Sequence, residues 1–208
     1  PSNIFIFLNC KFYRFSPRIL TLETIFKSIR TNGFCSENDF RTNKDNLNKS
    51  ITEGMRQKAV SYKFINIGKV KQDLETIKKV LLSKQPILVG LTVYYSLNRV
   101  TNAFWLPDVN IESIQGGIAG VIVGYIEDRE VFIVAQTFGS QFGENGYILV
   151  PFDYILNPNY TFELYTLALD KNRIEGYITQ KIKLEENKLA QSIKQDDTRS
   201  DLFSNLFS

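Results

Sequence analysis

The strongest structural pattern in the chain lies in residues 116–155, which read GGIAGVIVGYIEDREVFIVAQTFGSQFGENGYILVPFDYI. Three apolar runs of strand length occur in this segment, and five glycines follow the opening Gly116-Gly117 pair. Short runs rich in β-branched and aromatic residues, bounded by glycine and polar residues, are typical of β-strands. The segment therefore predicts a small antiparallel sheet. Its strands are expected at residues 118–126, 131–134 and 147–150, with a polar turn at 127–129 and a glycine-rich loop at 136–146.

The first of these strands is apolar at almost every position, which predicts that it is buried on both faces. Outside the segment, strand-like composition occurs at residues 62–67, 87–93 and 162–169. Helical spacing predicts three helices. The first begins after Thr21 and ends at Gly33, and the second begins at a capping box of Ser50 and Glu53. The third covers residues 73–84, with Asp73 as its cap and Pro86 after its end. Its outer side or its end carries three lysines, Lys78, Lys79 and Lys84.

The amino-acid composition is typical of a globular domain and does not indicate nucleic-acid binding or a membrane-spanning helix. The 208 residues are 43% hydrophobic and 13% aromatic, which is enough to build one globular core. The 25 basic and 22 acidic residues are spread along the chain, so there is no basic stripe of the kind that nucleic-acid binding requires. No apolar run approaches the roughly 18 residues that a membrane-spanning helix needs.

Metal and cofactor sites are not indicated either. The chain has two cysteines, Cys10 and Cys35, and no histidine, so a zinc site would need an unusual number of carboxylates. The glycines at 139, 143 and 146 lack the Gly-Lys-Ser/Thr ending of a phosphate-binding loop. We therefore expect no metal and no cofactor.

Residues 116–155 resemble the C-terminal half of the papain family of cysteine peptidases. Members of that family carry a Gly-Gly-His-Ala-type strand with the catalytic histidine, then a Val-Gly-Tyr, then Lys-Asn-Ser-Trp-Gly with the asparagine that orients the histidine. Gly116-Gly117 matches the glycine pair of that pattern, and Val123-Gly124-Tyr125 matches the Val-Gly-Tyr. The later glycine-rich loop is matched by Gly139, Gly143, Gly146 and Tyr147, and the closing turn by Pro151, Phe152, Asp153 and Tyr154.

The positions that carry chemistry in the family differ here. Ile118 stands at the histidine position and Gln136 at the asparagine position, while Thr137 and Phe138 replace the serine and the tryptophan. The papain mechanism needs a thiolate and an imidazole that holds and later donates a proton, and this chain contains no histidine. The retained residues are those that shape the backbone, whereas the lost ones are those that move protons.

The resemblance implies an α+β fold with a helical N-terminal part and an antiparallel, barrel-like sheet. It favours a helix for the apolar residues 4–8, which periodicity alone leaves open between helix and strand. It also makes Cys35 a structural residue, because the family's nucleophile lies on a helix that would precede residue 1. The expected domain covers residues 1–172, and residues 173–208 form an appended tail.

Two functions follow as expectations. The first is a catalytically inactive relative of the peptidases, kept as a structural or binding module in a virus particle or another large assembly. Phe138, Gly139 and Gly143 are its candidate binding residues in the domain. The alternative is a fragment of an active peptidase whose N-terminal part is missing.

The tail is the second candidate binding region. Ile182, Leu189 and Ile193 repeat at helical spacing among charged residues, which predicts one apolar stripe on a helix. Four large apolar side chains lie near the end of the chain, where Ser200 is available as a helix cap. We expect this end to bind a protein partner, because such residues are rarely left in water. They are Leu202, Phe203, Leu206 and Phe207.

Overall fold

A computed structural model describes residues 1–10, 20–63, 65–100 and 103–170, together with 172–173, 175–176, 178–180, 182–184 and 186–188. Five helices are named within residues 1–170: α1 Asn3–Cys10, α2 Leu22–Asn32, α3 Glu53–Ala59, α4 Leu74–Leu82 and α5 Phe152–Leu156. Six strands form one sheet: β1 Ile65–Lys69, β2 Ile87–Tyr94, β3 Ile114–Ile126, β4 Val131–Ala135, β5 Tyr147–Pro151 and β6 Thr161–Leu169. Short 3-10 helices lie at Lys44–Asn46, Val60–Lys63, Tyr95–Arg99 and Glu127–Arg129.

The sheet has the order β1-β6-β2-β3-β4-β5, and every pair of neighbours is antiparallel. The antiparallel arrangement predicted for residues 116–155 is thus confirmed, with β3, β4 and β5 as adjacent strands. One face of this sheet packs against α4 and α5 to form the main core. Its fully buried members include Ile77, Ile87, Val89, Leu91, Trp105, Ile122, Phe132, Val134, Ile148, Val150 and Ile155.

The prediction that β3 is buried on both faces was wrong. Ile122 is fully buried, but Val123 is 45% exposed and Ala119 is also exposed. An antiparallel strand can cover the core with one face while the other meets water. The continuous apolar run in β3 therefore leaves apolar side chains at the surface.

Local capping signals placed two helices correctly. The hydroxyl of Thr21 accepts a hydrogen bond from the backbone N–H of Thr24 at the start of α2, and Gly33 ends the helix with φ 70°. A Cβ atom added to Gly33 would lie 1.8 Å from the carbonyl oxygen of Ala59, so only glycine fits there. Asp73 caps α4 by accepting a hydrogen bond from the N–H of Thr76.

Three other sequence expectations need correction. The cap of α3 is Thr52, which accepts from the N–H of Met55 at 3.3 Å, and not Ser50. Tyr62 lies in a 3-10 helix, and β1 begins only at Ile65. Lys78 does not lie on an outer face of α4, because its Nζ atom approaches the Phe152 ring to 4.8 Å and Glu127 Oε1 to 2.6 Å.

The helices before β1 build a second, smaller core of six buried residues. Residues 4–8 belong to α1, so the helix that the resemblance favours is confirmed. Both cysteines are free and buried, which makes Cys35 a packing residue in this core. The cluster consists of Ile4, Phe5, Leu8, Cys35, Phe40 and Ala59.

Helix α2 joins this helical part to the sheet. The ring of Phe26 packs edge to face on Tyr165 of β6, with 5.1 Å between centroids. Across the described ranges, the structure contains no helix long and apolar enough to cross a membrane.

Candidate functional site

The positions that match the family's histidine and asparagine lie on β3 and directly after its neighbour β4. Ile118 of β3 lies opposite Leu91 of β2 and is partly buried against the main core. Gln136 follows β4 directly, and its backbone N–H donates to the carbonyl oxygen of Gly146 at 2.9 Å. The register that places Val121 opposite Ala135 brings Gln136 beside Gly120, two residues beyond Ile118 on the same face of β3.

The side chain of Gln136 is folded over Gly120. A Cβ atom added to Gly120 would lie 2.8 Å from the Nε2 atom of Gln136, so the glycine provides the space for the amide. Both Nε2 and Oε1 are buried, and neither has a hydrogen-bond partner among the described residues. In a catalytic site an amide here would hold an imidazole, whereas this one faces no such group.

The loop that follows Gln136 is folded as a series of tight turns. Gly139, Gly143 and Gly146 all have positive φ, at 89°, 58° and 89°. The N–H of Phe142 donates to the carbonyl oxygen of Gly139, and the N–H of Gly146 donates to that of Phe142, at 3.2 and 2.9 Å. The glycines shared with the family therefore keep a backbone role here.

Phe138 stands at the tryptophan position and is 53% exposed. Its ring packs edge to face on Phe142, with 4.8 Å between centroids. Ile118, by contrast, is turned toward the core. The structure thus leaves an aromatic surface on the loop and an apolar side chain where a proton carrier would be.

Both cysteine thiols lie in buried positions. Burial raises the pKa of the Cys10 thiol and, together with the nearby Asp39 carboxylate, that of Cys35. Raised values keep both thiols protonated at neutral pH, and a thiol is a far weaker nucleophile than a thiolate. In the ranges that the structure describes, no three His, Cys, Asp or Glu side chains come together as a metal site.

The sequence predicts that the tail, residues 173–208, binds a protein partner. The described residues between 172 and 188 are helical and exposed, and they include Ile178, Ile182 and Leu184. The remaining tail residues singled out lie outside the described residues. They are Leu189, Ile193, Leu202, Phe203, Leu206 and Phe207.

One feature of the surface was missed by sequence reasoning. A cleft of about 380 Å³ lies between the 3-10 helix Tyr95–Arg99 and the segment that leads into β3. The sequence predicts only a long connection for residues 98–115. Nothing in the local pattern indicates that the segment around Trp105 packs against the 3-10 helix that follows β2.

Comparison with known proteins agrees with the resemblance. The family model described as papain family cysteine protease matches residues 20–155. An uncharacterized peptidase C1-like protein of Acanthamoeba polyphaga mimivirus is 29% identical over 174 residues, which are 76% of this chain and 56% of that protein. The chain thus spans little more than half the length of this viral relative.

Solved structures show the same fold at low sequence identity. Xylellain, a cysteine protease from Xylella fastidiosa, has a TM-score of 0.76 at 21% identity, covering 81% of this chain and 70% of that one. Digestive procathepsin L 3 from the larval midgut of Tenebrio molitor has a TM-score of 0.55 at 16% identity, covering 71% and 48%. The α+β, papain-like architecture is therefore confirmed. Because the family model matches well over half of its residues, the chain belongs to the papain family of cysteine proteases.

Proposed function

We propose that this chain is a catalytically inactive member of its family that serves as a structural or protein-binding module. The observation that carries the proposal is the pair Ile118 and Gln136. An alkyl side chain stands where the family's mechanism needs an imidazole, and the amide beside it is buried without a hydrogen-bond partner in the part of the chain that the structure describes.

The chemistry supports this proposal. General acid-base catalysis contributes roughly 10²- to 10⁴-fold to a rate, and thiolate activation depends on the same imidazole. Ile118 can neither accept nor donate a proton. The two cysteines of the chain are buried and have raised pKa values, so they do not replace an activated nucleophile.

The proposed setting is a virus particle or another large assembly. A relative in a large DNA virus supports a viral setting, although that relative is itself uncharacterized. The exposed apolar residues Ile178 and Ile182, four positions apart on the helical tail, give the chain a stripe that its described residues do not cover. A partner helix or groove would bury such a stripe.

Catalytic inactivity is tested by assaying the chain against a mixture of fluorogenic peptides and an epoxide probe that labels activated thiols. We expect no turnover and no labelling, and xylellain serves as the active control. The variant with Cys10→Ala and Cys35→Ala distinguishes a contaminant from the chain itself. Turnover that survives in this double variant but is lost on Ile118→Ala would overturn the assignment of the site.

The partner-binding part is tested separately. Deleting residues 196–208 should leave the melting temperature of the domain nearly unchanged. The shortened chain should no longer enter its complex, which is measured by whether it sediments with the large assemblies of the cell that produces it. Phe203→Ala with Phe207→Ala should act like the deletion, whereas Asp196→Ala with Asp197→Ala is the matched control. A large drop in melting temperature on deletion would instead show that the tail belongs to the core of the domain.

A further inference from the structure

A cleft separate from the degenerate catalytic positions lies beside the end of β2. Its walls come from the 3-10 helix Tyr95–Arg99 on one side and from residues 104–106 and Glu112 on the other, and its volume is about 380 Å³. None of Ile118, Gln136 and Phe138 lines it. Binding in this cleft can therefore be tested separately from peptidase activity.

Trp105 forms a rigid wall of the cleft. It is only 2% exposed, and its backbone N–H donates to the carbonyl oxygen of Leu149 in β5 at 2.9 Å. Its indole Nε1–H donates to the hydroxyl of Ser96 at 3.0 Å, and the ring packs edge to face on Tyr154. A wall held by two hydrogen bonds and a ring contact is formed before any ligand arrives, which lowers the entropic cost of binding.

Arg99 brings a positive charge to the same cleft. Its guanidinium lies over the ring of Tyr95, with 4.8 Å to the centroid, and its Nη2 atom donates to the Tyr95 hydroxyl at 3.2 Å. Among the residues that the structure describes, no carboxylate lies within ion-pair distance of Arg99. A guanidinium has five N–H donors in a planar fork that matches a carboxylate, so most of its binding capacity is available to a ligand.

Glu112 also lines the cleft but is engaged by the backbone. Its Oε2 accepts from the N–H of Ser96 at 2.7 Å, and its Oε1 accepts from the N–H of Asp108 at 2.8 Å. Partial burial raises the pKa of this carboxyl, but these hydrogen bonds outweigh the burial and hold the pKa below its usual value. Glu112 therefore stays ionised and ties the two walls together, with both of its oxygens already hydrogen-bonded.

The rest of the cleft is apolar. Phe104 and Leu106 flank Trp105 in the chain and are 41% and 59% exposed, and Val100 lies next to Arg99. Large apolar side chains that stay exposed around a cleft with a few polar groups, here the Arg99 guanidinium and the hydrogen-bonded Glu112 carboxylate, are typical of ligand sites. A ligand that fits both features needs an apolar body close to an anionic group.

We propose that this cleft binds the C-terminal residue of a partner polypeptide. The free α-carboxylate pairs with the guanidinium of Arg99, and an aromatic or aliphatic side chain packs against the exposed Phe104 and Leu106. A cleft of this volume lies near the lower end for ligand sites and accommodates one or two residues. A chain end with an apolar last residue supplies both the charge and the apolar body within one residue.

The chain contains one tryptophan, so the indole N–H of Trp105 gives a single resonance beside this cleft. The experiment titrates the full chain with N-acetyl-L-phenylalanine and with the corresponding amide, and follows the indole N–H resonance by NMR. We expect a saturable shift with the free acid at millimolar concentrations and at least about tenfold weaker binding of the amide, since a charge-assisted hydrogen bond is lost. Equal binding of acid and amide, or no shift with either, would overturn the proposal.

Variants test the role of Arg99 directly. Arg99→Gln should weaken binding of the acid at least about tenfold, and Arg99→Lys should retain part of it because the charge remains. Lys79→Gln, which removes an exposed cation on α4, is the matched control and should leave the affinity unchanged. An Arg99→Gln variant with wild-type melting temperature and wild-type affinity would sink the assignment.

The terminal carboxylate is distinguished from an acidic side chain by a second probe pair. An N-acetylated tripeptide that ends in a free Phe is compared with an amidated tripeptide in which Asp is flanked by Phe residues. We expect the first to bind more tightly by at least about tenfold, since its carboxylate and apolar side chain belong to one residue. Equal affinity of the amidated peptide would contradict recognition of a chain end.

Discussion

The carboxylate of Glu163 in β6 accepts hydrogen bonds from the backbone N–H groups of Leu22 and Glu23, the first two residues of α2, at 3.1 and 3.4 Å. The first N–H groups of a helix have no partner within the helix, and the helix dipole favours a negative charge there. Thr21 satisfies a third N–H, that of Thr24. A residue 140 positions away thus completes the cap of this helix.

The first prediction concerns this contact. Glu163 has a φ of 58°, and Glu130, which is exposed, has a φ of 51°, so both have the positive φ that strains a non-glycine backbone. Replacement of either by alanine leaves that strain in place, but only Glu163→Ala removes a cap. We expect Glu163→Ala to lower the free energy of unfolding by about 1–2 kcal/mol and Glu130→Ala to change it by less than about 0.5 kcal/mol in urea titrations. Equal losses in the two variants would show that the cap contributes nothing.

Gln136 gives the second prediction. A buried amide without hydrogen bonds costs roughly 1–3 kcal/mol, and an apolar side chain of similar shape avoids that cost. Gln136→Met should therefore raise the melting temperature. Gly120→Ala should lower it, because the new Cβ would lie 2.8 Å from Nε2 and 2.9 Å from a methyl carbon of Val134.

The effects of substitutions at Gly120 and Gln136 on stability should not be additive, since both residues belong to one contact. Gly120→Ala should cost less in a Gln136→Ala background than in the wild type. If Gln136→Met proves less stable than the wild type, the amide has a partner, and its burial does not mark the loss of a catalytic site.

The third prediction compares two glycines of the loop after β4. Both have positive φ, but a Cβ on Gly143 would lie 2.2 Å from the carbonyl oxygen of Tyr147, whereas one on Gly139 would meet nothing within 4 Å. Gly139→Ala should cost roughly 1 kcal/mol for the left-handed backbone alone. Gly143→Ala should cost clearly more, because the carbonyl must also move. Similar unfolding midpoints for the two variants would contradict the turn geometry described here.

The features that sequence predicted well depend on neighbours in the chain. Thr21, Gly33 and Asp73 mark helix ends, because each makes its capping hydrogen bond with a residue three or four positions away in the chain. The cap of α3 was misplaced because Ser50 and Thr52 both precede Glu53, and the choice between them depends on how this segment packs against the second core, where Ile51 and Met55 both lie. The family's motif assigns Ile118 and Gln136 to the catalytic positions, but it does not indicate that the amide of Gln136 is buried.

Features that depend on distant contacts could not be predicted. The cap that Glu163 provides for α2 and the cleft between Arg99 and Trp105 exist only after the sheet has formed. The partial burial of Lys78 likewise depends on Phe152 and Glu127, which belong to other elements. Helical periodicity assigns a lysine to the outside, but it contains no information about an aromatic ring that covers the lysine from another part of the chain.

The last prediction concerns the pH dependence of stability and arises from Asp73. Its Oδ1 accepts from the backbone N–H of Thr76 and its Oδ2 from the Thr76 hydroxyl, both at 2.9 Å. These hydrogen bonds, led by the one from the backbone N–H and helped by Lys71, hold the pKa of Asp73 below its usual value in the folded protein. A carboxyl whose pKa is lower in the folded than in the unfolded state stabilises the fold above its unfolded pKa, and this contribution is lost as the pH falls through the folded pKa.

Asp73→Asn keeps an oxygen that can cap α4 but removes the charge. We therefore expect the wild type to be more stable than Asp73→Asn from about pH 7 down to about pH 5, and the difference to shrink and vanish as the pH falls well below about 4. Asp73→Ala lacks the cap at every pH and should remain less stable than the wild type in acid as well. The measurement is the urea midpoint of the three proteins across this range. A wild-type advantage over Asp73→Asn that persists unchanged in acid would show that the charge of Asp73 is not its source.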